Sequence, residues 1–151
     1  MPPDLWRFAE AVYQRPGVEA ACLQLQAQGL DVCLLLCALW LDARNVPWDE
    51  ARDQALHNVA QPWQTQVVMP LRQLRQNWRA AAQDDSALKP LREQVKRLEL
   101  EAEHELLQRL ATLSREWPSV DDAQRQRWLA QLAADPDALQ TLRVAAAQVC
   151  V

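Results

Sequence analysis

The chain has 151 residues, half of them hydrophobic and 24% charged, with a net charge of −4. That length can bury a core without disulfide or metal staples, and the composition excludes a disordered chain. The mild negative charge excludes the broad electropositive footprint that nonspecific nucleic-acid binding needs.

Two glycines, few β-branched residues and an abundance of Ala, Leu, Gln, Arg and Glu leave little from which to build a sheet. The predicted fold class is all-α. A first helix is expected over residues 4–14, with Leu5, Phe8, Ala9, Val12 and Tyr13 on one apolar stripe. Arg15-Pro16-Gly17 interrupts it, and Pro16 stands near the first turn of a second helix over 18–28, which Gly29 ends as a left-handed cap. Asp31 can cap a third helix over 32–44 that is apolar nearly all round and belongs in the middle of a bundle. Its apolar run, Val32 to Leu41, is too short to span a bilayer.

Asn45-Val46-Pro47 stops that helix. Helices over 48–58 and 61–83 are expected next, with Pro62 opening the second and Pro70 kinking it. Around the kink, Trp63, Val67, Leu71, Leu74 and Trp78 form a packing seam. Beyond the turn Asp84-Asp85-Ser86 the seam resumes as Leu88, Leu91, Val95, Leu98 and Ala102, and runs on through Leu106, Leu110, Leu113 and Trp117. Two long seamed helices joined by a short polar turn predict an antiparallel helical hairpin. Ser119 with Asp122 resembles a capping box for a helix over 120–134, and Asp135-Pro136 opens a last helix to about residue 148. The expected architecture is a single compact bundle of about seven helices. Compact N-terminal helices fill 1–46, the kinked helix and long helix of the hairpin 47–117, and two short C-terminal helices 118–151.

The chemistry-bearing residues are sparse. Glu101 and His104 have the E-x-x-H spacing of di-iron bundles, but the other histidine, His57 with Asp53 before it, makes an incomplete second half. Asp49 with Asp53, and Glu99 with Glu103, form two acidic pairs that could hold Mg²⁺ against a diphosphate if they faced each other across a cavity. Solvated helix charge paired with Lys96, Arg97 and Arg109 explains the glutamates more simply. Cys22, Cys33 and Cys37 lie among aliphatic residues and read as reduced core thiols, not as zinc ligands. With no secretory signal in view, a cytoplasmic location is expected.

Arg72, Arg75 and Arg79 make a basic stripe beside Trp63 and the seam, with Lys89, Arg92 and Lys96 across the turn. An acidic protein partner, RNA or plain solvation would each account for it. Seven tryptophans against one Phe and one Tyr is a second peculiarity. Trp40 and Trp78 read as core, while Trp6, Trp48, Trp63, Trp117 and Trp128 stand near helix ends, where an indole can bury one edge.

Several stretches together carry a resemblance. They are Leu5-Trp6-Arg7-Phe8-Ala9, Arg15-Pro16-Gly17-Val18-Glu19-Ala20-Ala21-Cys22-Leu23, Leu39-Trp40-Leu41, Pro62-Trp63, Pro70-Leu71-Arg72 and Leu98-Glu99-Leu100-Glu101-Ala102-Glu103. They resemble a family of short, uncharacterised proteobacterial proteins known only as a domain of unknown function, over about the first 110 residues. The resemblance implies a bacterial, cytoplasmic, all-helical protein and supplies no activity, cofactor or catalytic residue.

The leading functional expectation is a non-enzymatic helical adaptor that binds a protein partner through Arg72, Arg75, Arg79 and Trp63, with no catalytic residue and no cofactor. The alternative is a small metal-dependent enzyme or prenyl-diphosphate binder using Asp49, Asp53, Glu99 and Glu103 with Mg²⁺. A third is self-association, with a second copy completing the seam.

Overall fold

A computed structural model describes residues 3–150, and every regular element among them is helical. Helix α1 spans Leu5–Tyr13, and the Asp4 carboxylate accepts the Arg7 N–H at 3.0 Å as its cap. Leu5, Phe8, Ala9 and Val12 of its stripe are buried, whereas Tyr13 faces out. Helix α2 spans Val18–Ala27. It ends with Gly29 at φ 94°, where the Leu30 N–H bonds to the Leu25 carbonyl and the Gly29 N–H to that of Gln26. This is a Schellman stop, and it needs the left-handed backbone that glycine adopts most readily.

Helix α3, Val32–Ala43, is the central rod. Its buried run from Leu35 to Leu41 packs against α1, α2 and three later helices. Its exit repeats the Schellman pattern with Asn45 at φ 60°, the Val46 N–H reaching the Leu41 carbonyl. Gly17, at φ 82°, turns the chain between α1 and α2, and a Cβ there would stand 3.5 Å from the Thr141 methyl. Gly17→Ala should therefore lower stability by about 1–2 kcal/mol through backbone strain, read as a shift of the urea midpoint. No shift would mean that the turn relaxes to a negative φ.

The next stretch departs from expectation. The break expected between 58 and 61 does not occur. Helix α4 runs Glu50–Trp63 through Pro62, a π-helical segment follows over Gln64–Val68, and α5 spans Met69–Asn77 with Pro70 in its first turn. The two prolines bracket the π segment inside a single rod. Proline crowds the carbonyl four residues back and cannot bond to it. For Pro70 that carbonyl belongs to Gln66, inside the π segment, where i→i+5 bonding such as Met69 N–H to the Gln64 carbonyl widens the turn.

Trp78 interrupts the rod before the short α6, Arg79–Asp84. The Asp85 carboxylate caps Ala87 and Leu88, and the 27-residue α7 follows over Leu88–Ser114.

The expected helix over 120–134 is also absent. Only a 3₁₀ turn, Leu129–Gln131, forms there before α8, Pro136–Val149. The backbone groups that such a helix would have used are bound elsewhere. The Val120 N–H bonds to the Asn45 carbonyl and the Gln126 carbonyl accepts from Trp48, while Asp42 takes the N–H groups of Trp128 and Leu129 at 2.7 and 3.1 Å.

The core gathers α1, α2, α3, part of α4, the half of α7 from Leu106 onward, the 3₁₀ turn and α8. Helices α5 and α6 make their substantial contacts only with each other, the π segment and α7. Val68, Ala82, Val95 and Ala102 are buried between them, outside the main cluster. The π segment, α5, α6 and the first half of α7 thus form an arm extending from the body.

Candidate functional site

Two helices in the arm need a seam, and the structure fills its middle with charge. Glu99, on the inward side of α7, is only 6% exposed. Arg75 grips it with two prongs, Nε to Oε1 at 3.0 Å and Nη2 to Oε2 at 3.1 Å. Arg72 lies 3.8 Å from the same carboxylate and 3.4 Å from Glu103. Arg92 crosses in the other direction, its Nε donating to the Arg75 carbonyl at 2.9 Å.

At the foot of the arm this network meets the body. With its amide turned so that the oxygen faces Arg72, Gln26 accepts from Nη1 at 2.6 Å. Gln64 donates to the Asp31 carboxylate at 2.9 Å. Burial pushes the Glu103 carboxyl above its ordinary value, with Arg72 pulling the other way. Asp31 is raised for the same reason, against the Leu34 and Cys33 N–H groups that favour its ionised form.

Arg72 and Arg75 therefore spend their guanidinium groups inside the molecule, while Arg79 is exposed. Trp63 is half-buried at the base of the arm, its Nε1 donating to the Ala102 carbonyl at 2.8 Å with the Arg109 guanidinium 4.0 Å over the ring. Asp49 caps α4 through the Arg52 N–H at 2.7 Å, and Asp53 lies 3.4 Å from His57. The structure thus leaves the acidic pairs apart. One decorates the start of α4, and the other is held by arginines in the arm. Among the described residues no three of His, Cys, Asp and Glu gather closely enough to hold a metal ion. His104, half of the E-x-x-H spacing, stacks on Trp6 with ring centroids 3.8 Å apart.

The thiols are buried and unbridged at Cys22, Cys33 and Cys37. Burial raises Cys22 to about 11 and Cys37 to about 12, so they are protonated and poorly nucleophilic near neutrality.

Two surfaces remain. The first is an open groove of about 1280 Å³ between the start of α1, α4 and α7, floored by Trp6, Val59, Trp63 and Leu107. The second is the flank of the arm beside the ion-paired line. Val67, Leu71, Leu74 and Trp78 step at helical spacing along the π segment and α5, and Leu88, Leu91 and Leu98 do so along α7. Leu71 and Leu74 each precede a paired arginine, Leu91 precedes Arg92, and Leu98 precedes Glu99.

Bonds from Trp63 to Ala102 and from Arg75 to Glu99 pair ascending positions on the first rod with descending ones on α7, as antiparallel helices do. In antiparallel right-handed helices, the residues just before the facing positions emerge on the same side. Both leucine lines therefore share one flank. Leu74 is 36% exposed, Leu91 49% and Leu98 50%. Sequence spacing located these residues, but as buried seam positions. The signal for the true seam was the matching charge: Arg72 and Glu99 stand equally far from the Asp85–Ser86 turn.

The arrangement defines an all-helical bundle with a projecting two-helix arm, in which no described helix is long and apolar enough to cross a membrane. The chain belongs to the family described as "Protein of unknown function (DUF2390)", whose model matches residues 4–110. That span takes in α1 through most of α7, including the whole arm. Neither a curated protein nor a solved structure matches the chain.

Proposed function

We propose that this chain is a non-enzymatic helical protein of the bacterial cytoplasm that binds a protein partner, and that the arm is its binding element. The observation that carries this reading is the apolar flank, with Leu74, Leu91 and Leu98 each between one-third and one-half exposed on helices that the body does not cover. Solvent-facing leucines scattered singly need no explanation, but a contiguous line on a projecting element is a mark of an interaction surface.

The arginine stripe contributes differently from the sequence expectation. Arg72 and Arg75 make the arm rigid by tying α5 to α7, and the apolar flank beside them makes the contact. Rigid presentation favours affinity, because less is lost in ordering the surface on binding.

Affinity capture with the full chain tests the reading. Leu91→Glu with Leu98→Glu should weaken partner retention by at least tenfold for each leucine that the contact buries, with helical content unchanged by circular dichroism. A partner retained equally by the wild type and by this folded variant would remove the flank from consideration.

A further inference from the structure

We infer that the occupant of the apolar flank is a second copy of this chain, the two arms packing face to face into a four-helix bundle. This rests on the reading of the arm as a binding element and names its partner.

A two-helix layer has two sides, and here they differ in how many apolar residues they carry, Met69 and Leu100 standing exposed but among polar neighbours on the poorer one. On one side of the ion-paired line lie Leu71, Leu74, Trp78, Leu91 and Leu98; on the other lie Met69, Gln76, Arg79, Lys96 and Leu100. A pair of helices with one apolar side completes a core when an identical pair is laid against it about a two-fold axis, because each leucine line then meets another.

Charge permits this arrangement. The arm's buried acid and two of its arginines are neutralised within each copy by the Arg75–Glu99 and Arg72–Glu103 contacts. The edge of the flank along the first rod carries Pro70 and Asn77, with Ala81 beyond them on α6, all uncharged. Two identical copies therefore approach along α5 without opposing like charges, whereas an acidic or basic partner would find little there to recognise.

Size sets the expected strength. The arm is about 20 Å long and about two helix diameters across, so a face-to-face pair would bury on the order of 1,000 Å² in total, the lower bound of specific interfaces. The dimer should accordingly exchange with monomer at micromolar concentrations and not be permanent. Val67 belongs both to the leucine line and to the lining of the Trp6–Trp63 groove, so the contact can extend toward the body.

Sedimentation equilibrium of the full chain, from about 1 to about 200 µM, is the test. The mass should rise from 17.3 kDa toward twice that value with increasing concentration. Leu98→Glu should hold the chain at the monomer mass, and Leu100→Glu, on the opposite side, should leave the rise unchanged. Circular dichroism and thermal melting of both variants establish that the fold is intact.

A wild-type chain that stays monomeric throughout overturns the inference, as does a dimer indifferent to Leu98→Glu. The two readings fail separately. A monomeric chain whose captured partner is lost with Leu98→Glu overturns the second copy but keeps the flank as a binding surface. A monomeric chain with a partner insensitive to Leu98→Glu overturns both.

Discussion

Replacing Glu99 by alanine is expected to lower the unfolding free energy by roughly 3 kcal/mol, the low end of the penalty for stranding a buried charge. The carboxylate is nearly inaccessible and faces two guanidinium groups, Arg75 at 3.0 Å and Arg72 at 3.8 Å. Removing it leaves two like charges side by side between two helices. The arginine side chains keep 23% and 25% of their surface in water, which relieves part of the repulsion and holds the estimate down.

The contrast is informative. Arg75→Met combined with Glu99→Leu, which leaves Arg72 on Glu103, should be near neutral or stabilising, because desolvating an ion pair offsets much of its attraction. Urea unfolding at constant m-value measures both. Hydrogen exchange localises the effect, with faster exchange expected over residues 69–101 in Glu99→Ala and an unchanged body. A loss below about 0.5 kcal/mol for the single substitution would place the network among surface pairs of little consequence.

Trp128→Ala should be at least as damaging, by roughly 3–5 kcal/mol, or about 10–15 °C in Tm. Its side chain is 3% exposed, its Nε1 donates to the Val46 carbonyl at 3.0 Å, and its ring stacks on Trp117 at 6.0 Å. It anchors an irregular segment that has little regular structure of its own. Asp42 holds the same segment from the other side by accepting the N–H groups of Trp128 and Leu129.

Asp42→Ala orphans both donors and should cost about 1–3 kcal/mol, with Asp42→Asn, which keeps one acceptor, losing less. Because the two residues hold one segment, the double variant should lose less than the sum of the singles. Additive losses would show that Asp42 and Trp128 act on separate parts of the fold. Limited proteolysis offers a second reading, since cleavage within residues 115–135 should accelerate in either variant.

The helical periods were legible wherever local chemistry and packing agree. Asp4, Asp31 and Asp135 cap the helices they precede, and Gly29 stops α2 where a left-handed residue was expected. The continuous apolar run of α3 marked a central helix, because no helix with a polar face can be surrounded on every side. Pro62 misled, since at an exposed position inside α4 it forfeits only the bond to the Asn58 carbonyl and does not start a new helix. Residues 120–134 misled for the opposite reason. A capping pattern and helix-forming composition were outweighed by hydrogen bonds from Asp42, Asn45 and Val46, far away in sequence.

At the candidate site the residues were found and their use was not. Arg72, Arg75, Glu99 and Glu103 stood out as charged groups on helices, divided between a binding stripe and an acidic pair. Equal distance from the turn does not by itself say that the two sets face each other, because opposing faces depend on how each helix is rotated, which the break at Trp78 resets. The leucines at 91 and 98 fit the heptad spacing of a buried seam equally well, yet the inward positions belong to Arg92, Val95 and Glu99.

The sequence by itself determined the all-helical class, most helix starts and stops, the central place of α3 and the hairpin's turn, since each follows from interactions spanning a few residues. Only the tertiary structure decided that charge fills the arm's seam while leucines flank it, and that residues 115–135 stay irregular. Both outcomes depend on which distant groups meet, and a buried carboxylate or backbone N–H takes the partner that folding brings to it, whatever its neighbours in the chain prefer.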